Sequence, residues 1–309
     1  MGHSELTYLS ANGRTNIHAD LWQPDGQSIK GVVQLVHGVG EYAARYAPFA
    51  EFLCEHGYVV CGNDHLGHGH SIIEDCPPMY FGETDGWQTV VADVETLRGR
   101  MAAQYPDKPY FLFGHSMGSF LTRSHMIRYP GACTGYVICG TGHPARLLLG
   151  VGKKIVAHEA KKCGKKTVKP QFDKLVFGTF NKKFKPNKTP NDWLSANEDN
   201  VRRYIADPLI QTETTLGMFG DLCDGLDYIT NPDNFGRIDK RRPVLLIAGQ
   251  EDPVGNMGRD VEKVCGLFKK LGLSDVQMKL YPGMRHEILN EKEREKPFDD
   301  VLNWLEEHR

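Results

Sequence analysis

Six short apolar runs, set apart by longer stretches of helical spacing, restrict what this 309-residue chain can fold into. They are Gly31–Val36, Tyr58–Asn63, 109–113, Gly135–Cys139, Val244–Gly249 and Val276–Tyr281. Most lack the polar alternation of a strand with one wet face, so they read as strands covered on both sides. Between them, 87–105 sets Val90, Val91, Val94, Leu97 and Met101 at a helical period, and 260–271 and 298–308 read as further helices. Such alternation implies an α/β fold with a mostly parallel central sheet flanked by helices. Near the N-terminus, 18–22 is expected to add an antiparallel strand at one edge. The rhythm stops for about 90 residues, too many for a plain loop in a compact domain. The helical-looking pieces 201–205 and 214–226 fall there. The expected division is a core of residues 1–141 and 236–309 interrupted by an inserted helical cap, 142–235.

The residues that carry chemistry stand at strand ends. In FLFGHSMGS a β-run leads through Gly114, Ser116 and Gly118 into a helical stretch, the strand–turn–helix context of a nucleophile elbow. A side chain on so sharp a turn tolerates only small residues two positions away. A serine hydroxyl needs a base, and the base needs a carboxylate to orient it. Elbow enzymes supply these in the order Ser, acid, His, each after a late strand. After VLLIAG comes QED, offering Asp252 with Glu251 as its rival; after VQMKLY comes PGMRHE, offering His286. A tetrahedral intermediate also needs donors for its oxyanion. HGVGE, 37–41, follows the first apolar run and offers the N–H of Val39 beside that of Met117. The dense set Asp64, His65, His68 and His70 reads as a structural turn rather than a metal centre, and no cofactor or metal is required by this chemistry.

Charge and cysteine usage narrow the setting. The net charge is −2, which excludes a globally basic nucleic-acid binder. Between 151 and 190, however, twelve lysines face only Glu159 and Asp173, a local charge of +10. At the start of that region Leu147, Leu148, Val151, Ile155 and Val156 alternate with Lys153, Lys154, Lys161 and Lys162 on a helical pattern. Two readings stay open: an interfacial lid touching anionic membrane, or an apolar face packed over an acyl pocket with solvated lysines. No stretch of 18 apolar residues occurs, MGHSELTYLSANGRTN lacks the plan of a secretion signal, and Cys54, Cys61, Cys139 and Cys265 sit in apolar runs. A cytoplasmic protein is expected.

HGVGEYAARY, DHLGHGHS, FGHSMGS, GQED and YPGMRHE together resemble the monoacylglycerol lipase and lysophospholipase group of α/β-hydrolases, also known as serine aminopeptidase-like hydrolases. The resemblance implies the α/β-hydrolase fold, Ser116 as nucleophile, Asp252 as orienting acid, His286 as base, and Val39 and Met117 as oxyanion donors. It also implies a lipid-like ester substrate and a cap lining an acyl tunnel. An aminopeptidase or amidase on the same triad is the alternative. Two positions depart from the family pattern, Ser119 where a Gly is frequent and Tyr42 where a His is common.

Overall fold

The computed structural model describes residues 1–26 and 28–309, Leu175 by its backbone alone. Eight strands form one sheet: β1 (Gly2–Leu9), β2 (Asn16–Gln23), β3 (Gly31–Val36), β4 (Tyr58–Asn63), β5 (Tyr110–His115), β6 (Gly135–Cys139), β7 (Val244–Gly249) and β8 (Val276–Tyr281). Their spatial order is β1-β2-β4-β3-β5-β6-β7-β8. The β1–β2 hairpin and the β2–β4 pair are antiparallel, and every other pair is parallel. This is the mostly parallel sheet with an antiparallel edge that the alternation of runs implies. β5 continues through Gly114 and His115, two residues beyond the expected end, and so delivers Ser116 at the carboxyl edge of the sheet.

The helices are α1 (Ala47–Glu55), α2 (Gly86–Gln104), α3 (Met117–Arg128), α4 (Arg146–Cys163), α5 (Pro170–Val176), α6 (Glu198–Ala206), α7 (Leu216–Thr230), α8 (Pro232–Phe235), α9 (Arg259–Leu271) and α10 (Glu295–His308). Period-two side-chain alternation explains why both faces of the sheet are covered. Val32, Leu112, Ile138 and Leu246 point to the layer of α2, α3 and α9, while Val33, Phe113, Val137 and Ile247 point to that of α1 and α10. On the second face Phe49 of α1 lies 5.3 Å from Phe113 and 4.9 Å from Phe298 of α10, ring centre to ring centre.

Between β6 and β7 the chain runs through helices α4 to α8. The Lys-rich part of this segment folds because it keeps its own apolar centre. Val156, Phe172, Leu216 and Phe219 are buried together, and the Phe180 ring packs, tilted, 5.0 Å from that of Trp193. The apolar residues of α4 split between two sides. Leu149 and Val156 are buried, whereas Leu147 (81% exposed), Leu148 (70%), Val151 (51%) and Ile155 (46%) face outward. The reading in which the whole apolar face packs down therefore does not hold for those four residues.

Candidate active site

Ser116 holds φ 55° and ψ −121°, a left-handed backbone that an L-residue adopts only where its surroundings enforce it. Three hydrogen bonds do so. Its N–H donates to the Cys139 carbonyl of β6 (3.0 Å), and its own carbonyl accepts from the N–H (2.9 Å) and hydroxyl (2.6 Å) of Ser119. Ser119, the departure from the family pattern, thus braces the turn from below. The flanking glycines are sterically required. A Cβ at Gly114 would overlap the Thr122 hydroxyl and the Gly118 carbonyl, and one at Gly118 would overlap the Val36 carbonyl of β3.

Asp252 and His286 arrive from the loops after β7 and β8. Their side chains are 0% and 3% exposed, and His286 Nδ1 lies 2.9 Å from Asp252 Oδ2. The other carboxylate oxygen, Oδ1, accepts the Val254 N–H at 2.9 Å. Glu251, the rival acid, is exposed to solvent. Burial disfavours the imidazolium of His286, but the Asp252 charge and hydrogen bond, helped by Glu287 and Glu41, outweigh it and hold its pKa above the ordinary histidine value. With Nδ1 engaged by Asp252, Nε2 is the nitrogen left for chemistry. Ser116, His286 and Val39 line one cavity of about 380 Å³. Trp193 from the inserted segment stands over the His286 ring at 5.2 Å, and His115 lies 4.6 Å away on another side.

The loop after β3 is fastened from three directions. The Gly38 N–H donates to Glu41 Oε1 (2.6 Å) and is thereby engaged within the loop. Glu41 also accepts from the Tyr46 hydroxyl (2.7 Å) and pairs with Arg45, one guanidinium nitrogen of which donates to both carboxylate oxygens of Glu287, at 2.9 and 3.0 Å. Burial raises the Glu41 pKa and Arg45 opposes it. Asn200 of α6 donates to Glu287 at 2.6 Å, closing the network onto the inserted segment. The Tyr42 hydroxyl donates to Asp207 (2.7 Å), and the Gln211 N–H donates to the Gly40 carbonyl (2.7 Å). None of these partnerships is visible in the spacing of motifs, because Arg45 and Glu287 are 242 positions apart.

The histidine-rich stretch after β4 serves this loop. The His65 N–H donates to His37 Nε2 (2.8 Å), His65 Nε2 lies 3.0 Å from the His37 carbonyl, and the two rings stack at 3.8 Å. Asp64 accepts the N–H groups of Ala43 and His70, both at 2.8 Å. His37 must stay neutral for Nε2 to accept. Burial, with repulsion from neighbouring histidines, pushes the His37 pKa well down and His65 to about 3, and burial alone lowers His68 to about 4.

Residues 27–293 match the family described as Serine aminopeptidase, S33. The chain is 30% identical over 308 residues to a monoacylglycerol lipase of Mycolicibacterium smegmatis, covering 99% of this chain and 98% of that protein. It is 26% identical to the human monoglyceride lipase, covering 98% and 91%. The structure of a thermostable carboxyl esterase from Bacillus coagulans, in complex with glycerol, superposes with a TM-score of 0.91 at 32% identity, covering 100% and 99% of the two chains.

The neutral histidines give the fold a proton-linked weakness. A buried histidine with a depressed pKa is protonated first in the unfolded chain. Its stabilisation is complete above about pH 6.5 and is lost, at about 1.4 kcal/mol per pH unit, as pH falls toward the folded value. His68→Gln removes one such group. Urea unfolding midpoints measured from pH 7 to 5 are expected to fall less steeply for this variant than for the parent.

Proposed function

This chain belongs to the serine aminopeptidase S33 family and is a monoacylglycerol lipase-like α/β-hydrolase; from that premise we propose that it cleaves carboxylic esters with one apolar acyl chain through a Ser116–His286–Asp252 triad. One observation carries the reading: His286, paired with the buried Asp252, and the left-handed Ser116 border the same cavity. Ser116 Oγ attacks the ester carbonyl while His286 Nε2 takes its proton. Asp252 holds the imidazole tautomer and stabilises the imidazolium, which then protonates the leaving alcohol. The N–H groups of Val39 and Met117, the latter first in α3, receive the oxyanion. Water, activated by the same imidazole, releases the acid from the acyl-enzyme. The segment 142–235 acts as the cap, supplying Phe177, Trp193 and Leu194 to the cavity wall for the acyl chain. Thr212, Thr214 and Asn191 line the same space with polar groups suited to an alcohol head.

The names of the relatives support a monoacylglycerol or similar lipid ester as substrate. No helix among the described residues is long and apolar enough to cross a membrane. The outward Leu147, Leu148, Val151 and Ile155 on α4, beside the exposed Lys154, Lys161 and Lys162, favour the interfacial reading of the lid, which would rest on an anionic surface. All eight cysteines are unpaired, in keeping with the reducing interior of a cell.

Ser116→Ala is expected to abolish labelling by a fluorophosphonate and to lower kcat on monoacylglycerol by more than about 1,000-fold. The urea midpoint should stay close to the parent's. A panel of monoacylglycerols, p-nitrophenyl esters and aminoacyl amides separates esterase from aminopeptidase: turnover confined to the amides would overturn the ester reading. The base must be neutral to accept a proton, and its pKa is raised. The ascending limb of kcat/KM is therefore expected to have its midpoint above about pH 6.5. For α4, binding to vesicles containing anionic lipid should weaken as salt rises, since exposed charges are screened over about 10 Å at 0.1 M. Salt-independent sedimentation would remove the electrostatic part of the lid proposal.

A further inference from the structure

On the outer hairpin of the sheet, β2 alternates between two environments. Ile17, Ala19 and Leu21 are buried against the α2 side, and His18, Asp20 and Trp22 occupy the other face. Asp20 on that face is only 2% exposed, and its Oδ2 has no hydrogen-bond partner. A carboxylate in that condition is costly to bury. Directly across the ladder stands Glu5, a second acid, where like charges oppose each other at the distance of a cross-strand pair. Two histidines flank the acids: His3 Nε2 lies 2.8 Å from Asp20 Oδ1, and His18 Nε2 lies 3.5 Å from Glu5 Oε2. One donor atom each from Glu5, His18 and Asp20 falls within 4.8 Å of the others.

His18 also has a carboxylate close to its second ring nitrogen, the place where metal-binding imidazoles keep one. Its Nδ1 lies 3.3 Å from Asp64 Oδ2, and Asp64 is itself fixed by the N–H groups of Ala43 and His70. Nε2 is on the side of Glu5, and a small turn of the ring would bring Nδ1 onto Asp64 in the carboxylate–histidine–metal order of zinc proteins. We propose that Glu5, His18 and Asp20, with His3 closing the set, bind one divalent ion of the zinc class. Two imidazoles and two carboxylates select Zn²⁺, Co²⁺ or Ni²⁺ over Ca²⁺ or Mg²⁺, which prefer all-oxygen shells. Tetrahedral zinc holds its ligands about 3.4 Å apart. The buried Asp20 and the half-buried His18 stay in place while the more exposed Glu5 and His3 rotate inward; their side chains are 66% and 42% exposed. A cation there neutralises the opposed acids and staples β1, otherwise an edge strand, to β2. The site is structural and separate from the cavity of Ser116, so it stands or falls independently of the hydrolase reading.

The test uses the full chain, stripped with a chelator and dialysed, and titrated with Zn²⁺ by calorimetry. One equivalent is expected to bind, Tm should rise with Zn²⁺ and return with chelator, and Ca²⁺ should do neither. Co²⁺ should give the visible absorption of a four-coordinate N/O site. Glu5→Gln relieves the opposed charges and should raise the metal-free Tm, His3→Gln takes a partner from Asp20 and should lower it, and each should weaken Zn²⁺ binding by about 10-fold or more, read as a smaller Zn²⁺-induced rise in Tm than in the parent. No stoichiometric binding, or equal binding by parent and both variants, would overturn the proposal and leave the cluster as histidine–carboxylate ion pairs alone.

Discussion

The backbone turn at Ser116 is the constraint on which the rest of the structure depends. A left-handed conformation at a residue with a side chain costs on the order of 1–3 kcal/mol, and it persists only when neighbouring structure over-determines it. Here the neighbours are two strands and one helix. β6 receives the Ser116 N–H, Ser119 in the first turn of α3 returns two hydrogen bonds, and β3 passes so close to Gly118 that no side chain fits. A parallel sheet is what brings those elements together, because adjacent strands end at the same edge with their loops converging there. The Asp252 and His286 loops leave the sheet at that same edge, after β7 and β8.

Around this turn the protein buries more charge than a hydrolytic triad needs. Glu41, Arg45 and Glu287 form a closed chain from the loop after β3 to the loop carrying His286, with Asn200 joining it to α6. Removing one partner of such a cluster typically costs about 3–5 kcal/mol, since it strands an uncompensated charge. The cluster is therefore a positional device. It registers two loops that are remote in the chain through short, charge-assisted hydrogen bonds. Glu41 and Glu287 also help to hold the imidazole of His286 above its ordinary pKa, so the same groups set geometry and proton affinity.

Much of this was legible in the sequence because it follows from local rules. The apolar runs map onto β3 to β8 within a residue or two, and GHSMG announces its turn through the glycines that sterics demand. Asp252 and Glu251 were indistinguishable by position; burial separates them. The histidine-rich stretch after β4, read only as a turn, clasps the His37 loop, with Asp64 extending that hold to Ala43. What escaped was long-range or depends on the sense of a side chain. Arg45 with Glu287, Trp193 over His286, and the hairpin face shared by His3, Glu5, His18 and Asp20 carry no periodic signal of their own. The outward Leu147 and Leu148 could not be told from core leucines, since a helical period gives the stripe and not what lies against it.

The bonds from Tyr42 to Asp207 and from Gln211 to Gly40 tie the segment ahead of α7 to the loop bearing Val39. If Val39 receives the oxyanion as proposed, a door hinged on that segment cannot swing freely, because its frame is part of the catalytic floor. Widening the mouth for a bulkier guest would loosen the grip on developing negative charge, whereas a tight mouth would preserve it. Admission and chemical speed are thus harnessed to one another, and a lineage selecting for broader diet would have to rebuild this seam before it could gain from a wider opening.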